Sequence, residues 1–489
     1  MINSILYFEE KCINKFEKLE NDFIKEPTRF AEYVQGLTQE LNLLGVEMIK
    51  ESLELMDEML QKSPKRKKNW VVESHTRKQL TTSLGDVVFR KTLFTHKETG
   101  KSEYLIDRIM GLDPYERLTE DAVAKLLEEA VQTSYRRGGE KASLTTEVSK
   151  QTVKNKIHEL VFPKEETKPE TKKKVDYLYI DADEDHVALQ YKEKKGDIRE
   201  NENHQKNNKV IGKIVYVYEG VEKESPKSKR HHLVKPHYFC GINSGKGNEA
   251  FWDEVYEYMD SHYELSKVKK IYVNSDGGSW IKAGIKRIEG ATHVLDEFHL
   301  EEHLTKLSSH LKDSQGDAKD RMRAIIRHGR KKEFQEYVCL LKGYLESEEG
   351  LSRMEKAEKY IMSNWTAARL RLKHQDEVRG SSTEGHVSHI LSSRMSSRPM
   401  GWSMKGASKM AQLRAYYANG GGMLDLVRSQ KKEEKQSVGA EYEILSSTQI
   451  LASEKSRHGE VGKYVDRLTH SISLQNKKMI YFNSHIWGL

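Results

Sequence analysis

Residues 175–183, VDYLYIDAD, read as an apolar strand that runs into acid. Alternating aromatic and aliphatic residues suit a strand with one face buried. Two more strand-like runs follow without a helix between them, KVIGKIVYVYEGVE (209–222) and HYFCGIN (237–243). The pattern then alternates. A helical stretch, NEAFWDEVYEYMDSHY, leads into strand KKIYVNSD (269–276), helix WIKAGIKRI (280–288) and strand HVLDEFHL (293–300).

Three strands joined directly, then helix and strand in turn, is the order of an RNase H-like α/β sheet. Two acids stand where such a sheet places chemistry. Asp181 ends the apolar part of the first strand, and Asp276 ends KKIYVNSD. Neighbouring parallel strands would bring both carboxylates to one sheet edge. Their hard oxygens suit Mg²⁺ or Mn²⁺, and such ions activate a water or 3′-hydroxyl in phosphoryl transfer. Asp183 competes with Asp181, because it points to the same face of an extended strand. The plain reading of Asp276 is a turn residue ahead of Gly277-Gly278. A third carboxylate is expected from a helix against that edge. Glu384, in GSSTEGHVSHILSSRM, opens such a helix, with Ser381, Ser382 and Thr383 as N-caps. A Glu in a first turn is also ordinary helix-dipole chemistry. Between Asp276 and Glu384 lie helical patterns that read as an all-helical insertion.

Outward from this core the chain divides further. Residues 1–65 are an N-terminal helical region whose apolar positions Val34, Leu37, Leu41, Leu44 and Met48 recur at three- and four-residue steps. That face can pack on its own core or on another subunit. Residues 66–115 read as a small β-ribbon. Residues 116–161 carry helix-turn-helix spacing, with Ser149 capping a helix that presents Lys150, Gln151, Lys154 and Asn155 outward, toward phosphates and base edges. An ordinary helical bundle carries the same pattern. A charged linker (162–174) precedes the first core segment (175–300). The helical insertion (301–379), the second core segment (380–426) and a C-terminal tail (427–489) follow, the tail with a mobile surface stretch at RSQKKEEKQ.

The motifs together resemble one family. IDADEDHVAL, NSDGGSWIKAG, VLDEFHL and TEGHVSHILSSR are similar to the ISLre-type insertion-sequence transposases, bacterial DDE enzymes distantly related to the Mutator-like group. The resemblance spans nearly the whole chain. It implies Asp181, Asp276 and Glu384 as the catalytic and metal-binding triad, with Mg²⁺ or Mn²⁺ as cofactor. It implies Asp296 and His299 as an accessory Asp-x-x-His pair. It also implies Trp365, in SNW, near DNA ends. Arg394, beyond Glu384, is a further candidate for DNA phosphate, against a default of solvated surface. The partners implied are double-stranded DNA, as terminal inverted repeats and target, and further copies of the chain. The zinc-binding N-terminal modules of some relatives have no counterpart, so end recognition falls to the β-ribbon and helix-turn-helix.

Two rival functions remain in view. His299-Leu300-Glu301-Glu302-His303 satisfies H-x-x-E-H, the inverted zinc-peptidase pattern, with Glu384 as a distant third ligand. It begins in an expected strand end, which would spoil the helical pairing of the histidines. A non-catalytic DNA-binding regulator would explain only the helix-turn-helix and basic clusters.

Composition fits a soluble cytoplasmic protein, and the resemblance implies a bacterial one associated with the nucleoid. The 489 residues carry 82 Lys and Arg against 75 Asp and Glu, and the net +7 gathers at 64–68, 150–156, 227–232 and 327–332. No apolar run is long enough for a membrane span, and the N-terminus lacks a secretion signal. Cys12, Cys240 and Cys339 are too scattered for a disulfide framework, which fits the cytoplasm.

Overall fold

The computed structural model describes residues 2–113, 115–163, 169, 171–191, 208–375, 377–378, 383–398 and 400–435. The caps expected at Ser381 and Ser382, part of the 162–174 linker and the tail beyond 435 lie outside those residues. The protein is a mixed α/β chain with many helices and forms two compact units. The first comprises residues 1–130, 135–153 and the segment from 427; the second comprises 131–134 and 154–426. Among the described residues no helix is long and apolar enough to cross a membrane.

The first unit is built on an antiparallel sheet of β1 (Trp70–Thr81), β2 (Asp86–His96) and β3 (Ser102–Glu103). Helix Phe30–Lys62 lays Leu53 and Leu60 on Trp70, Phe89 and Phe94. Helices Glu120–Ala130 and Tyr135–Lys141 meet closely. Gly138 permits the approach, since a Cβ there would lie 2.8 Å from Ala130 Cβ, and one at Gly139 in the same helix would strike the Val148 carbonyl at 2.0 Å. The Ser149 hydroxyl accepts from Thr152 N at 3.1 Å and caps helix Lys150–Glu159. The RSQKKEE stretch, expected as mobile surface, is instead part of helix Met423–Lys435. Lys431 there pairs with Glu116 at 3.1 Å.

The second unit holds a five-stranded mixed sheet. Its strands are β4 (Tyr177–Ala188), β5 (Lys209–Tyr218), β8 (His237–Gly241), β9 (Lys270–Ser275) and β10 (Ala291–Leu295). The spatial order is β10-β9-β4-β5-β8; β4, β5 and β8 run antiparallel, whereas β9 and β10 run parallel to β4. Side chains alternate across β4. Leu178, Ile180 and Ala182 join Val215, Val217 and Val273 under helix Lys246–His262, where Trp252, Val255 and Met259 close the core. Asp181, Asp183 and Asp185 take the opposite face.

Three strand boundaries differ from expectation. β4 continues five residues past Asp183, because its pairing with β5 runs on to Ala188↔Lys209 even though the sequence there is polar. The 209–222 run breaks at Glu219, and Gly220–Lys223 (β6) pairs instead with His231–Val234 (β7) as a separate two-stranded hairpin. β10 stops at Leu295, since Asp296 caps a helix, Glu297–Ser308. That helix opens a helical layer with its own core of Leu304, Met322, Ile326, Phe334, Val338, Ile361 and Trp365.

Candidate active site

The site forms where β9 ends beside β4. Asp181 is level with Asn274 in the parallel register, so Asp183 and Asp276, each two residues further on, reach one level at the carboxyl edge.

The two aspartates of β4 occupy different environments. Asp181 is fully buried and accepts four hydrogen bonds: from Tyr216 Oη (2.9 Å), Tyr218 Oη (3.1 Å), Asn274 Nδ2 (2.7 Å) and Thr383 Oγ1 (3.1 Å). Burial pushes its carboxyl up to about 6, against the pull of those bonds. Its lone pairs are spent on the protein. The Asn274 side chain is held in turn by Arg371, whose Nη2 donates to Asn274 Oδ1 at 2.6 Å. Arg371 also binds the Leu295 and Val378 carbonyls. The expected first acid is thus the hub of a buried network. Asp183 instead accepts from its neighbour Glu184 N, at 2.8 Å. Burial pushes it up to about 6, and the nearby charges of Asp276 and Asp296 add to the rise, while His299 offsets it.

Asp276 sits on a tight turn. Its Oδ1 accepts from Gly278 N (2.8 Å) and its carbonyl from Tyr360 Oη (2.6 Å). Gly277 adopts φ +83, and a Cβ there would lie 2.5 Å from Asn364 Oδ1, so glycine is required on both counts. Asp296 does two jobs. Its Oδ2 caps the helix through His299 N at 3.3 Å and meets His299 Nδ1 at 3.2 Å. That bond holds His299 above the usual imidazole range; burial opposes it, and the charges of Asp296, Asp183 and Asp276 reinforce it. A ring whose proton affinity is raised in this way can donate a hydrogen bond to an anionic substrate.

Other expected residues fall elsewhere. Glu384 lies exposed in the first turn of helix Thr383–Val387, whose Thr383 hydroxyl donates to Asp181 of β4. Lys150, Gln151 and Asn155 are exposed on their helix, and Lys154 is half-buried. Two expected DNA contacts are core side chains instead. Trp365 packs edge-on to Phe334 at 5.6 Å within the helical layer, because its helix turns this face inward. Arg394 is buried with its guanidinium 4.7 Å from the Trp402 ring.

The H-x-x-E-H residues do lie on one helix, contrary to the expected strand end, but they do not converge. His299 is committed to Asp296. His303 stacks on Tyr360 at 3.8 Å, burial pushes it down to about 4, and Glu302 pairs with Lys306 at 2.8 Å. Among the described residues no three His, Cys, Asp or Glu side chains are grouped to enclose a metal ion.

A further feature is the β6–β7 hairpin. Its base is fixed by Glu219, which pairs with Lys173 (2.5 Å) and accepts from Tyr263 Oη (3.3 Å). Its exposed cations Lys223, Lys227, Lys229 and Arg230 have no side-chain partner among the described residues. The basic run at 227–232 was legible, but its presentation on a hairpin was not.

A family model described as "Uncharacterised protein family (UPF0236)" matches residues 23–435. The chain belongs to the UPF0236 family. Three UPF0236 proteins of Caldanaerobacter subterraneus subsp. tengcongensis are each 32% identical to it, over 436, 431 and 432 residues. These alignments cover 88% of this chain and 86%, 87% and 86% of the relatives. The name of the first joins eleven locus designations of that organism, and the name of the third joins four. Among solved structures, the Drosophila P element transposase strand transfer complex aligns over 70% of this UPF0236 chain and 92% of its own, at 10% identity and a TM-score of 0.22. At that score the likeness carries no argument.

Proposed function

We propose that this UPF0236 protein is a DDE transposase with an RNase H-like core, which cleaves DNA at the terminal inverted repeats of an insertion sequence and joins the ends to target DNA. The observation that carries the reading is the meeting of Asp183 and Asp276 at the carboxyl edge of adjacent parallel strands, within a sheet ordered β10-β9-β4-β5-β8. The many loci joined in the relatives' names agree, since a self-copying element leaves identical coding copies across one genome.

The donor set suits Mg²⁺ or Mn²⁺. Asp183 and Asp276 offer hard carboxylate oxygens at this edge, and the Asp276 charge adds to the rise that burial causes at Asp183. Mg²⁺ is commonly held by one or two carboxylates, with substrate phosphate and water completing the shell, so a three-ligand protein cage is not needed. Bound there, such an ion supplies charge neutralisation and activates the attacking oxygen. Asp183 and Asp276 are the first two acids of the triad, and Glu384, carried by the helix that Thr383 ties to β4, is the third. His299, whose proton affinity Asp296 raises, donates to a phosphate oxygen of the scissile strand. Tyr360 and Gly277 fix the Asp276 turn. Positioning and charge carry phosphoryl transfer, so little covalent chemistry is asked of the protein. Lys150, Gln151, Lys154 and Asn155 serve end recognition, and the hairpin cations grip flanking phosphates.

The test is an in vitro cleavage assay on element ends with Mg²⁺ or Mn²⁺. Asp276→Asn and Asp183→Asn abolish cleavage while end binding persists. Cleavage by Asp276→Asn at the wild-type rate overturns the proposal, and failure of the wild type to nick DNA would favour a non-catalytic regulator.

A further inference from the structure

Asp183 has an acid on either side of it along its own face of β4, Asp181 and Asp185. Both bind the segment that carries Glu384. Asp181 accepts from Thr383 Oγ1 at 3.1 Å. Asp185 Oδ2 accepts from Ser392 Oγ at 2.9 Å and from Ser396 Oγ at 2.6 Å. Those two serines stand four residues apart on one helical face, so both hydroxyls reach one oxygen.

The segment runs from helix Thr383–Val387 through a π-helical turn, Ser388–Ser392, into Ser393–Met395. Its length matches the strand. The nine residues from Thr383 to Ser392 rise about 13 Å as helix, and the four from Asp181 to Asp185 rise about 13 Å as strand. The segment therefore lies along β4, tied down on either side of Asp183. The angle is not matched automatically. At 100° per residue, nine residues would turn Ser392 about 180° from Thr383, away from the strand. The π turn closes i to i+5 and so advances less per residue, which brings Ser392 back toward β4. Two further contacts hold the segment over the sheet. His386 Nδ1 meets Tyr238 Oη at 3.0 Å. Leu391 lies over Gly212, the β5 partner of Asp185, where a Cβ would be 3.8 Å from Leu391 Cδ1.

We propose that Asp185, with Ser392 and Ser396, is a positioning group for the third acid, fixing the rotation and reach of the Glu384 helix over the Asp183–Asp276 edge. Glu384 is exposed, so its place is set by the backbone that carries it rather than by packing of its side chain. The three acids of β4 then divide by role: the outer two hold the helix, and the middle one is left for the metal. The inference rests on the transposase reading, in which Glu384 completes the triad. Groups that orient a metal ligand from outside the shell are commonly worth about 10–100-fold in metal affinity.

The experiment compares Asp185→Ala, Asp185→Asn and the pair Ser392→Ala with Ser396→Ala against wild type in the full chain. The serine pair leaves β4 itself untouched. Hydrogen exchange without metal reads the amides of 386–396. Exchange there speeds up about fivefold or more in Asp185→Ala and in the serine pair, which lose both hydrogen bonds. It stays at the wild-type rate in Asp185→Asn, whose amide oxygen still accepts from both serines. Titration of the urea midpoint with Mn²⁺ reads the metal. The Mn²⁺ concentration that gives half the shift rises about tenfold in Asp185→Ala and is wild type in Asp185→Asn. In a Glu384→Gln background Asp185→Ala adds no further rise, because its effect runs through that side chain. Wild-type exchange or a wild-type Mn²⁺ requirement in Asp185→Ala overturns the proposal and leaves the transposase reading standing. So does a full further loss in the Glu384→Gln background, or an Asp185→Asn protein that needs as much Mn²⁺ as Asp185→Ala. A wild type whose midpoint ignores Mn²⁺ overturns both.

Discussion

Replacing Asp181 and Asp183 in turn with alanine separates the two roles that the structure gives these carboxylates. The signs of the effects are opposite. Asp181→Ala leaves four buried donors, on Tyr216, Tyr218, Asn274 and Thr383, without their acceptor. At about 1.5 kcal/mol each, that is a loss of about 6 kcal/mol. The same change removes a buried charge. Moving a carboxyl from 3.8 to about 6 costs its ionised form about 3 kcal/mol at neutral pH. The net is a destabilisation of about 3 kcal/mol. Asp183→Ala relieves a similar charge penalty but gives up one hydrogen bond, from Glu184 N. It stabilises the unit by about 1–2 kcal/mol. Urea titration followed by tryptophan fluorescence reads both changes, since Trp252 and Trp280 report on the sheet-bearing unit. Adding Mn²⁺ raises the midpoint of wild type and leaves that of Asp183→Ala unmoved. The assignment is refuted if Asp183→Ala destabilises as much as Asp181→Ala, or if Asp183→Ala keeps the full Mn²⁺ response.

Neutralising the hairpin tip as Lys227→Gln, Lys229→Gln and Arg230→Gln makes the logarithmic salt dependence of duplex binding shallower by about 2–3, roughly 0.9 per lost phosphate contact; an unchanged slope in fluorescence anisotropy removes the hairpin from the interface. Trp365→Ala opens a cavity in the helical layer and costs about 3–5 kcal/mol by chemical denaturation, while duplex affinity per folded molecule stays the same. If affinity falls without loss of stability, the ring is a DNA contact after all. His237, stacked on Tyr258 at 4.0 Å, is pushed down to about 4 by burial, with the His262 charge adding to it. Below pH 6.5 the unfolded chain takes up a proton that the folded chain refuses, so stability falls between pH 6.5 and 4 by about 3 kcal/mol. His237→Gln flattens that part of the melting profile, and an unaltered profile places the acid sensitivity elsewhere.

Much of the sheet was legible because buried strands write their own pattern. The apolar positions 178, 180 and 182 alternate with polar ones, and the later run to Ser275 is short and apolar. The choice between Asp181 and Asp183 was not legible. An apolar run ending in acid marks where burial of one face stops, not where pairing stops, and β4 goes on through a polar stretch held by β5. What distinguishes the two acids is their partners, and Tyr216, Tyr218 and Thr383 are 35 to 202 residues away. Trp365 had a local signal. Ala368 and Leu372 follow it at three and seven residues, a buried helical face.

The division of labour among the acids also bears on the rival histidine pattern. H-x-x-E-H places two imidazoles one turn apart, and the helix Glu297–Ser308 does so here. A zinc pair would need both rings neutral, with free nitrogens aimed at one point. Asp296 instead takes the Nδ1 of His299 and raises its proton affinity, and the charges of Asp183 and Asp276 add to that rise. Burial against Tyr360 keeps His303 neutral. One turn of helix thus separates an imidazole of raised proton affinity, bound to Asp296, from a neutral packing group. That asymmetry serves an anionic substrate held near carboxylates better than it serves a symmetric metal clasp.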